Sequence, residues 1–200
     1  DPRRYARPVP EVVPIRIVIV GGGFAGLASA HPLGRRIPPW WGAPRRVGGR
    51  PVEVVLASPE NYFVFQPLLA DVIGASIEPR HVVSPLRRLL PRTDVRWCEV
   101  ESVDLATRRV RFRPQEGRAV ADLVADHVVL APGQATDLAR VPGLAEHGLP
   151  LRTLGDAIEI RNRVIRGLEA ASVATDPAER ARLLSFVVVG AGFSGVEVAG

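Results

Sequence analysis

A glycine pattern that follows an apolar, strand-like run occurs twice in this chain, and it limits the fold more than any other feature. The first copy runs from Gly21 through Gly23 to Gly26, directly after Ile15–Val20. In this spacing the first glycine permits a tight turn, the second lets the backbone approach a pyrophosphate, and the third lets helix and strand pack closely. Phosphates then bind the free N–H groups at the positive end of the helix dipole. The pattern predicts a strand, a turn and a helix that hold a dinucleotide.

The second copy has the same spacing at Gly190, Gly192 and Gly195, again after a β-branched apolar run, Phe186–Val189. Such a run is typical of a strand buried on both faces. Either copy alone is compatible with an ordinary strand–helix turn that needs glycine for packing. Two copies in one chain favour two dinucleotides held face to face, a flavin and a nicotinamide.

The composition argues against several other classes of protein. The chain has 200 residues with 46% hydrophobic content, enough for one sizeable core or two small ones. Its 26 basic residues are all arginine, give a net charge of +5 and are scattered among acidic residues. A nucleic-acid partner is therefore not predicted. The sequence shows no apolar run of membrane-spanning length and no signal peptide.

The single cysteine, Cys98, rules out a disulfide framework, indicates a reducing compartment and is expected to be a small buried residue. The four histidines lie far apart in the sequence, so no metal site is predicted. Acyl-transfer chemistry has no support, because no G-x-S-x-G motif is present. We interpret both ends of the sequence as truncated, because the chain has no methionine and Gly200 falls inside a predicted helix. We expect the N-terminal portion of a longer protein, inactive alone.

Apolar periodicity and turn residues place the other elements. The first helix is expected over Phe24–His31, ending or kinking at Pro32. Thr153 is expected to cap a helix that reaches Ala171, and a hairpin is expected to turn at Ala106-Thr107. The other predicted strands are Val52–Ala57, Asp94–Cys98, Val100–Leu105, Arg108–Phe112 and His127–Leu130, and the other predicted helices are Pro79–Leu90 and Ala178–Leu184.

Gly34–Pro51 has no useful periodicity and is predicted to be an irregular insertion. One interpretation places Trp40 and Trp41 in a lipid headgroup region, with neighbouring arginines beside anionic lipid. The alternative is a mobile loop whose tryptophans pack on the protein surface, and it is favoured because no amphipathic helix supports the first. The arginines concerned are Arg35, Arg36, Arg45 and Arg46.

The position of the acidic ribose ligand is unusual. A dinucleotide-binding fold normally has a carboxylate at the end of its second strand. Here Ser58 occupies that position, and Glu60 follows two residues later. Glu60 either reaches the ribose by a shifted geometry or is a solvated loop carboxylate.

Several separated motifs together resemble a known family. With both glycine patterns, the Asn61–Leu69 block NYFVFQPLL and the Ala131-Pro132-Gly133 turn, the chain resembles the two-dinucleotide-binding flavoprotein oxidoreductases. Among these it is most similar to the type II NADH dehydrogenases, the single-subunit NADH:quinone oxidoreductases. The resemblance implies an α/β fold with a Rossmann-like FAD-binding domain and a small β-meander over residues 15–145. The beginning of a second Rossmann-like, NAD(P)H-binding domain would follow over 151–200, and residues 1–14 would form a loose tail.

The resemblance also implies which residues bind each cofactor. The family's Phe-Gln-Pro-Leu-Leu block lies against the flavin, which implicates Gln66 and Pro67. Glu197 matches a carboxylate near the flavin–nicotinamide contact, so Glu197 and Gln66 are expected at the reaction centre. Ser58 in place of the ribose acid and Pro132 in place of a threonine depart from the family. The implied FAD ligands are Gly21, Gly23, Phe24, Ala25, Gly26, Ser58, Glu60, Gln66, Pro67, Val100, Ala131, Pro132 and Gly133, and the implied NADH ligands are Gly190, Gly192, Phe193, Ser194, Gly195 and Glu197.

The function implied by the resemblance is transfer of a hydride from NADH to FAD and of electrons to a membrane quinone. The alternatives are a sulfide:quinone or ferredoxin-type flavoprotein reductase on the same scaffold, or an inactive nucleotide-binding fragment. The disulfide reductase branch is excluded for these residues, because its redox cysteine pair is absent. The expected location is cytoplasmic and peripheral, on the inner face of the cell membrane, attached through a C-terminal part beyond Gly200. A homodimer is left open, as are the quinone type and NADH versus NADPH.

Overall fold

A computed structural model describes residues 13–35, 46–113 and 120–200. The chain divides into two compact units. The first takes the described residues up to Tyr62 together with Pro85–Gly133, and the second takes Phe63–Ser84 and Gln134–Gly200. A segment from the middle of the chain thus packs with the C-terminal residues.

The described elements comprise ten strands and seven α-helices. The strands are β1 (Ile15–Val20), β2 (Arg46–Val47), β3 (Arg50–Ser58), β4 (Tyr62–Val64), β5 (Val83–Pro85), β6 (Asp94–Trp97), β7 (Val100–Asp104), β8 (Arg109–Phe112), β9 (Leu123–Val124) and β10 (His127–Leu130). The helices are α1 (Phe24–Arg35), α2 (Leu69–Ile73), α3 (Leu86–Leu89), α4 (Leu144–His147), α5 (Leu154–Val173), α6 (Pro177–Leu183) and α7 (Phe193–Ala199). Short 3-10 turns cover Gln66–Leu68, Pro79–His81 and Leu138–Arg140.

A parallel sheet forms the centre of the first unit. Strand β1 lies between β10 and β3, and β6 continues the parallel order beyond β3. Val20 at the end of β1 is in register with Leu130 and with Ala57, so these strands end side by side. In open α/β sheets this carboxyl edge is where ligands bind.

The antiparallel meander β7–β8–β9 covers one side of this sheet and completes a core. Cys98 is buried there, as expected. The packed residues are Val18, Val55, Ala57, Cys98, Val110, Phe112, Leu123 and Ala125.

The second unit is built around helix α5, which packs against α2 and α6. Its core cluster consists of Leu69, Val72, Val82 and Ala157. A capping box starts α5: Asp156 N donates to Thr153 Oγ1 at 3.1 Å, and Thr153 N donates to Asp156 Oδ2 at 2.8 Å. The predicted cap at Thr153 is confirmed.

Most of the strands and helices predicted from local patterns are present. Ile15–Val20 and His127–Leu130 are strands with the predicted bounds. The hairpin turns at Ala106-Thr107, where both backbone N–H groups donate to Asp104 Oδ1. The helix predicted over Ala178–Leu184 is also present, as Pro177–Leu183.

The helix predicted over Pro79–Leu90 is wrong. The segment is a 3-10 turn, strand β5 and the short helix α3. Pro85 disfavours helical backbone at the residue before it and has no N–H to donate. Phe65 N instead donates to Val82 O at 2.8 Å, at the end of the β4–β5 pair.

Helix α1 is longer than predicted, because it passes Pro32 and ends at Arg35. Arg92 Nη1 donates to Gly34 O at 3.0 Å, which satisfies one of the carbonyls left without a partner near the helix end.

The segment Phe186–Val189 is not a strand, contrary to prediction. A strand is stabilised by hydrogen bonds to a neighbour, and no strand among the described residues pairs with this one. Its apolar side chains are correspondingly exposed, Val187 by 86%.

The predicted insertion Gly34–Pro51 is only partly described. Its last residues form a β2–β3 hairpin with the two-residue turn Gly48-Gly49, so this part is regular and the prediction is wrong there. Trp40, Trp41, Arg36 and Arg45 lie outside the described residues, and the proposed lipid contact is a prediction that falls mainly on them.

Candidate dinucleotide-binding turns

The first glycine turn is shaped by contacts that only glycine permits. Gly21 has φ of 106°, and its N–H donates to Ala57 O at 2.8 Å. A Cβ atom on Gly26 would collide with the carbonyl oxygen of Gly21, whereas a Cβ on Gly23 would meet no atom within 4 Å. Helix and strand are therefore in close contact at the third glycine, and open space lies beside the second.

The second turn repeats this geometry. Gly190 has φ of 114°, and a Cβ atom on Gly195 would collide with the carbonyl oxygen of Gly190. Gly192 again has open space, with no atom within 4 Å of an added Cβ. Val196 N donates to Gly192 O at 3.0 Å, just as Leu27 N donates to Gly23 O at 2.9 Å.

Both turns can accept a phosphate group at the backbone. Backbone N–H groups at the start of a helix attract anions, and at these turns they belong to Phe24 and Ala25 and to Phe193 and Ser194. The open space at the middle glycine is the room that a pyrophosphate needs to reach these groups.

The Ala131-Pro132-Gly133 turn runs directly along the first glycine turn. Ala131 N donates to Val20 O at 2.8 Å, and a Cβ atom on Gly21 would collide with Ala131 O. Pro132 and Gly133 are exposed, and Gly133 has φ of 72°. The structure thus brings these two predicted parts of one site together.

Ser58 also lies against the first turn. It is buried, and a Cβ atom on Gly22 would be 2.6 Å from its Oγ. Its hydroxyl accepts a hydrogen bond from Glu60 N at 3.3 Å. Burial, followed by the negative charge of Glu60, raises the pKa of Tyr62.

Gln66, Pro67 and Glu197 belong to the second compact unit, as does the second glycine turn. Gln66 is exposed at the start of a 3-10 turn, and its Nε2 donates to Arg152 O at 3.2 Å, directly before the α5 cap. Glu197 is exposed on α7. Val100 belongs to the first unit, begins β7 opposite Phe112 and is half-buried.

One residue near the first turn was missed by the sequence analysis, Trp97. It ends β6 opposite Ser58, and its Nε1 donates to Pro59 O at 2.7 Å. The available signal was its position near the end of the predicted strand Asp94–Cys98.

Two kinds of feature are absent from the described ranges. No cluster of three or more His, Cys, Asp or Glu side chains there has the arrangement of a metal site. No helix in those ranges combines the length and apolar character needed to cross a membrane.

Comparison with known proteins adds independent information. The family described as pyridine nucleotide-disulphide oxidoreductase matches residues 15–200. Demethylphylloquinone reductase NdbB of Synechocystis is 34% identical over 186 residues, which cover 92% of this chain and 42% of that protein. Type II NADH:quinone oxidoreductase NdhA of Mycobacterium tuberculosis is 34% identical over 188 residues, covering 92% of this chain and 37% of that protein. The chain therefore spans less than half the length of these relatives.

A solved structure has the same fold. NDH2 from Plasmodium falciparum superposes with a TM-score of 0.75 at 22% identity, covering 92% of this chain and 36% of that one. The chain thus has the α/β, Rossmann-like fold that the glycine patterns predict.

Proposed function

This chain belongs to the pyridine nucleotide-disulphide oxidoreductase family, and from that premise we propose that the whole protein is an NADH dehydrogenase that uses FAD and delivers electrons to a quinone. The observation that carries the proposal is the matched geometry of the two glycine turns. Each has an open space at its middle glycine, directly before the helix that follows. The names of the two quinone- and NADH-linked relatives support the choice of substrates.

The residues present fit FAD at the first turn. Gly23 offers room for the pyrophosphate, and the N–H groups of Phe24 and Ala25 would bind it. Glu60 is the carboxylate nearest in sequence to the ribose position. Further contacts are assigned to Gly21, Gly26, Ser58, Val100, Ala131, Pro132 and Gly133, and, from the family resemblance, to Gln66 and Pro67.

The second turn fits NADH in the same way. Gly192 offers the room, and the N–H groups of Phe193 and Ser194 would bind phosphate, with Gly190 and Gly195 shaping the turn. We assign Glu197 a role in setting the charge near the nicotinamide, and Gln66 a role at the flavin.

Bound FAD would supply the two-electron acceptor that takes a hydride from NADH and returns electrons to quinone. The protein's own residues contribute binding and orientation. Backbone N–H groups at both turns fix the pyrophosphates, and this limits the positions that the reacting rings can adopt.

Location and assembly belong to the same proposal. Quinones with long tails reside in the bilayer, so we place the protein in the cytoplasm at the inner face of the cell membrane, bound peripherally. A homodimer is also proposed, from the family resemblance. Sedimentation of the protein with and without lipid vesicles tests both statements.

Absorbance spectroscopy of the purified protein tests the redox assignment. We expect bound flavin whose visible absorbance is bleached by NADH without oxygen and restored by a quinone. Gly23→Val should abolish flavin binding, whereas Gly192→Val should keep the flavin but prevent bleaching by NADH. Both variants should fold, because neither glycine has an atom within 4 Å of an added Cβ. Absence of flavin would overturn the assignment, and bleaching by sulfide but not by NADH would transfer it to sulfide oxidation.

A further inference from the structure

An indole side chain lies at the carboxyl edge of the parallel sheet, the edge at which such sheets bind ligands. Trp97 ends β6 and is in register with Ser58, the last residue of β3. Two hydrogen bonds fix this corner of the sheet. Trp97 Nε1 donates to Pro59 O at 2.7 Å, and Cys98 N donates to Ser58 O at 3.0 Å. The indole is therefore held against the loop that follows β3, and its orientation is restricted.

Trp97 nevertheless remains 46% exposed. The only polar atom of an indole is Nε1, which is a donor, and here Pro59 O already accepts from it. The side-chain surface that Trp97 presents to solvent is therefore carbon. Covering such a surface is favourable, and an aromatic face packs well against a second aromatic ring.

The order of the strands indicates which ring this is. The first glycine turn follows β1, strand β3 pairs with β1, and β6 pairs with the other side of β3. A dinucleotide with its pyrophosphate on the first glycine turn has its ribose at the end of the next strand. The adenine is bonded to that ribose, and neighbouring strands are about 4.8 Å apart. An adenine that continues in the same direction would lie at the end of β6, beside Trp97.

We propose that Trp97 is a specificity-determining residue, whose indole stacks on the adenine of the dinucleotide at the first glycine turn. The inference rests on the proposed function, since it requires a dinucleotide at that turn. It goes further by giving the base an aromatic partner. Backbone N–H groups bind the phosphates of any nucleotide alike, so a contact to the base is what distinguishes one ligand from another.

Calorimetric titration with ADP and with ribose 5-diphosphate, the same ligand without its base, tests the inference. The full chain is freed of flavin and carries Gly192→Val, whose side chain fills the open space at the second turn. We expect ADP to bind more tightly than ribose 5-diphosphate. Trp97→Ala should weaken ADP binding about tenfold, as removal of an aromatic side chain from a stacked base does, and leave ribose 5-diphosphate binding unchanged. Trp97→Phe keeps a smaller ring and should weaken ADP binding about threefold.

Tryptophan fluorescence provides a second readout. Replacing the other two tryptophans, by Trp40→Phe and Trp41→Phe, leaves Trp97 as the single tryptophan of the chain. We expect ADP to quench its fluorescence and ribose 5-diphosphate to leave it unchanged, because a base stacked on an indole quenches its emission. Leu105→Ala is the matched control for the calorimetry, since Leu105 is 69% exposed between β7 and β8, and it should change the binding of neither ligand.

Two results would overturn the inference and leave the proposed function intact. One is equal weakening of both ligands by Trp97→Ala, which would show that the indole only fixes the loop. The other is binding of ADP without quenching of Trp97. If neither ligand binds, the inference is overturned, and the flavin absorbance of the protein as purified then decides whether the proposed function fails with it.

Discussion

Gly23 and Gly26 lie in one turn, yet a methyl group added to each would meet opposite surroundings. At Gly26 it would collide with the backbone of Gly21, which cannot move without displacing strand β1. At Gly23 it would meet open space. A substitution at Gly26 should therefore lower the stability of the fold, whereas one at Gly23 should mainly affect ligand binding.

We expect Gly26→Ala to lower the free energy of unfolding by about 3 kcal/mol, because the clash involves backbone. Gly23→Ala should cost about 1 kcal/mol or less, the loss of a preferred capping residue. Urea denaturation measures both values. The second turn provides a matched pair, and Gly195→Ala should again cost more than Gly192→Ala. Equal losses within either pair would contradict this account of the turns.

The side chain of Asp126 links β1 to the residues just before β10. Its Oδ2 accepts from Arg16 N at 2.8 Å, and its Oδ1 lies 3.6 Å from Arg50 Nη2. The hydrogen bond from the Arg16 backbone, helped by the charge of Arg50, lowers the pKa of Asp126 below its ordinary value. These contacts favour the ionised form, so the carboxylate binds its proton less readily in the folded chain than in the unfolded one.

Asp126→Asn should reduce the loss of unfolding free energy that occurs as the pH is lowered. A carboxyl with a lowered pKa contributes stability above its unfolded value of about 4, and that contribution is lost as the pH falls through the folded pKa. The original chain should therefore lose more stability than the variant between about pH 4 and the lower folded pKa. Urea unfolding at a series of pH values measures the difference. An equal loss of unfolding free energy in both proteins as the pH falls would contradict the expectation.

Elements stabilised by nearby residues could be predicted from sequence, whereas those that depend on distant partners could not. The α5 cap needs only Thr153 and Asp156, three residues apart, and was found. Strand β9 was missed because its two residues are fixed by pairing with β8. Phe186–Val189 has the composition of a strand, but composition cannot supply the neighbour that a strand needs.

The candidate site shows the same limit. The glycine turns were predicted with the correct residues because backbone sterics act within a few positions. Trp97 was missed because its position beside Ser58 depends on which strands end side by side. The resemblance alone assigned Ala131 and the first turn to the same cofactor, and the β1–β10 register explains why Ala131 lies beside that turn.

At the scale of the whole molecule, the described residues include a continuous exposed apolar segment, Phe186–Val189. Val187 is 86% exposed and Phe186 is 52% exposed. A short run of β-branched and aromatic residues without a strand neighbour favours pairing with another chain.

We expect the chain to self-associate at high concentration and Val187→Lys to weaken that association about tenfold, since burial of one valine is worth roughly 1.5 kcal/mol. Val173→Lys is the matched control, because Val173 is 79% exposed at the end of α5. Sedimentation velocity over a range of concentrations measures the effect. A similar change in both variants would show a general effect of added charge and exclude the segment as the cause.

Both turns present peptide groups, not side chains, to whatever lies on them. Every amino acid carries the same peptide group, so a change of side chain around such a turn leaves the contact intact as long as the three glycines persist. Substitutions can therefore accumulate at neighbouring positions during evolution. A distant homologue can then have a very different sequence and still bind the same ligand through its backbone.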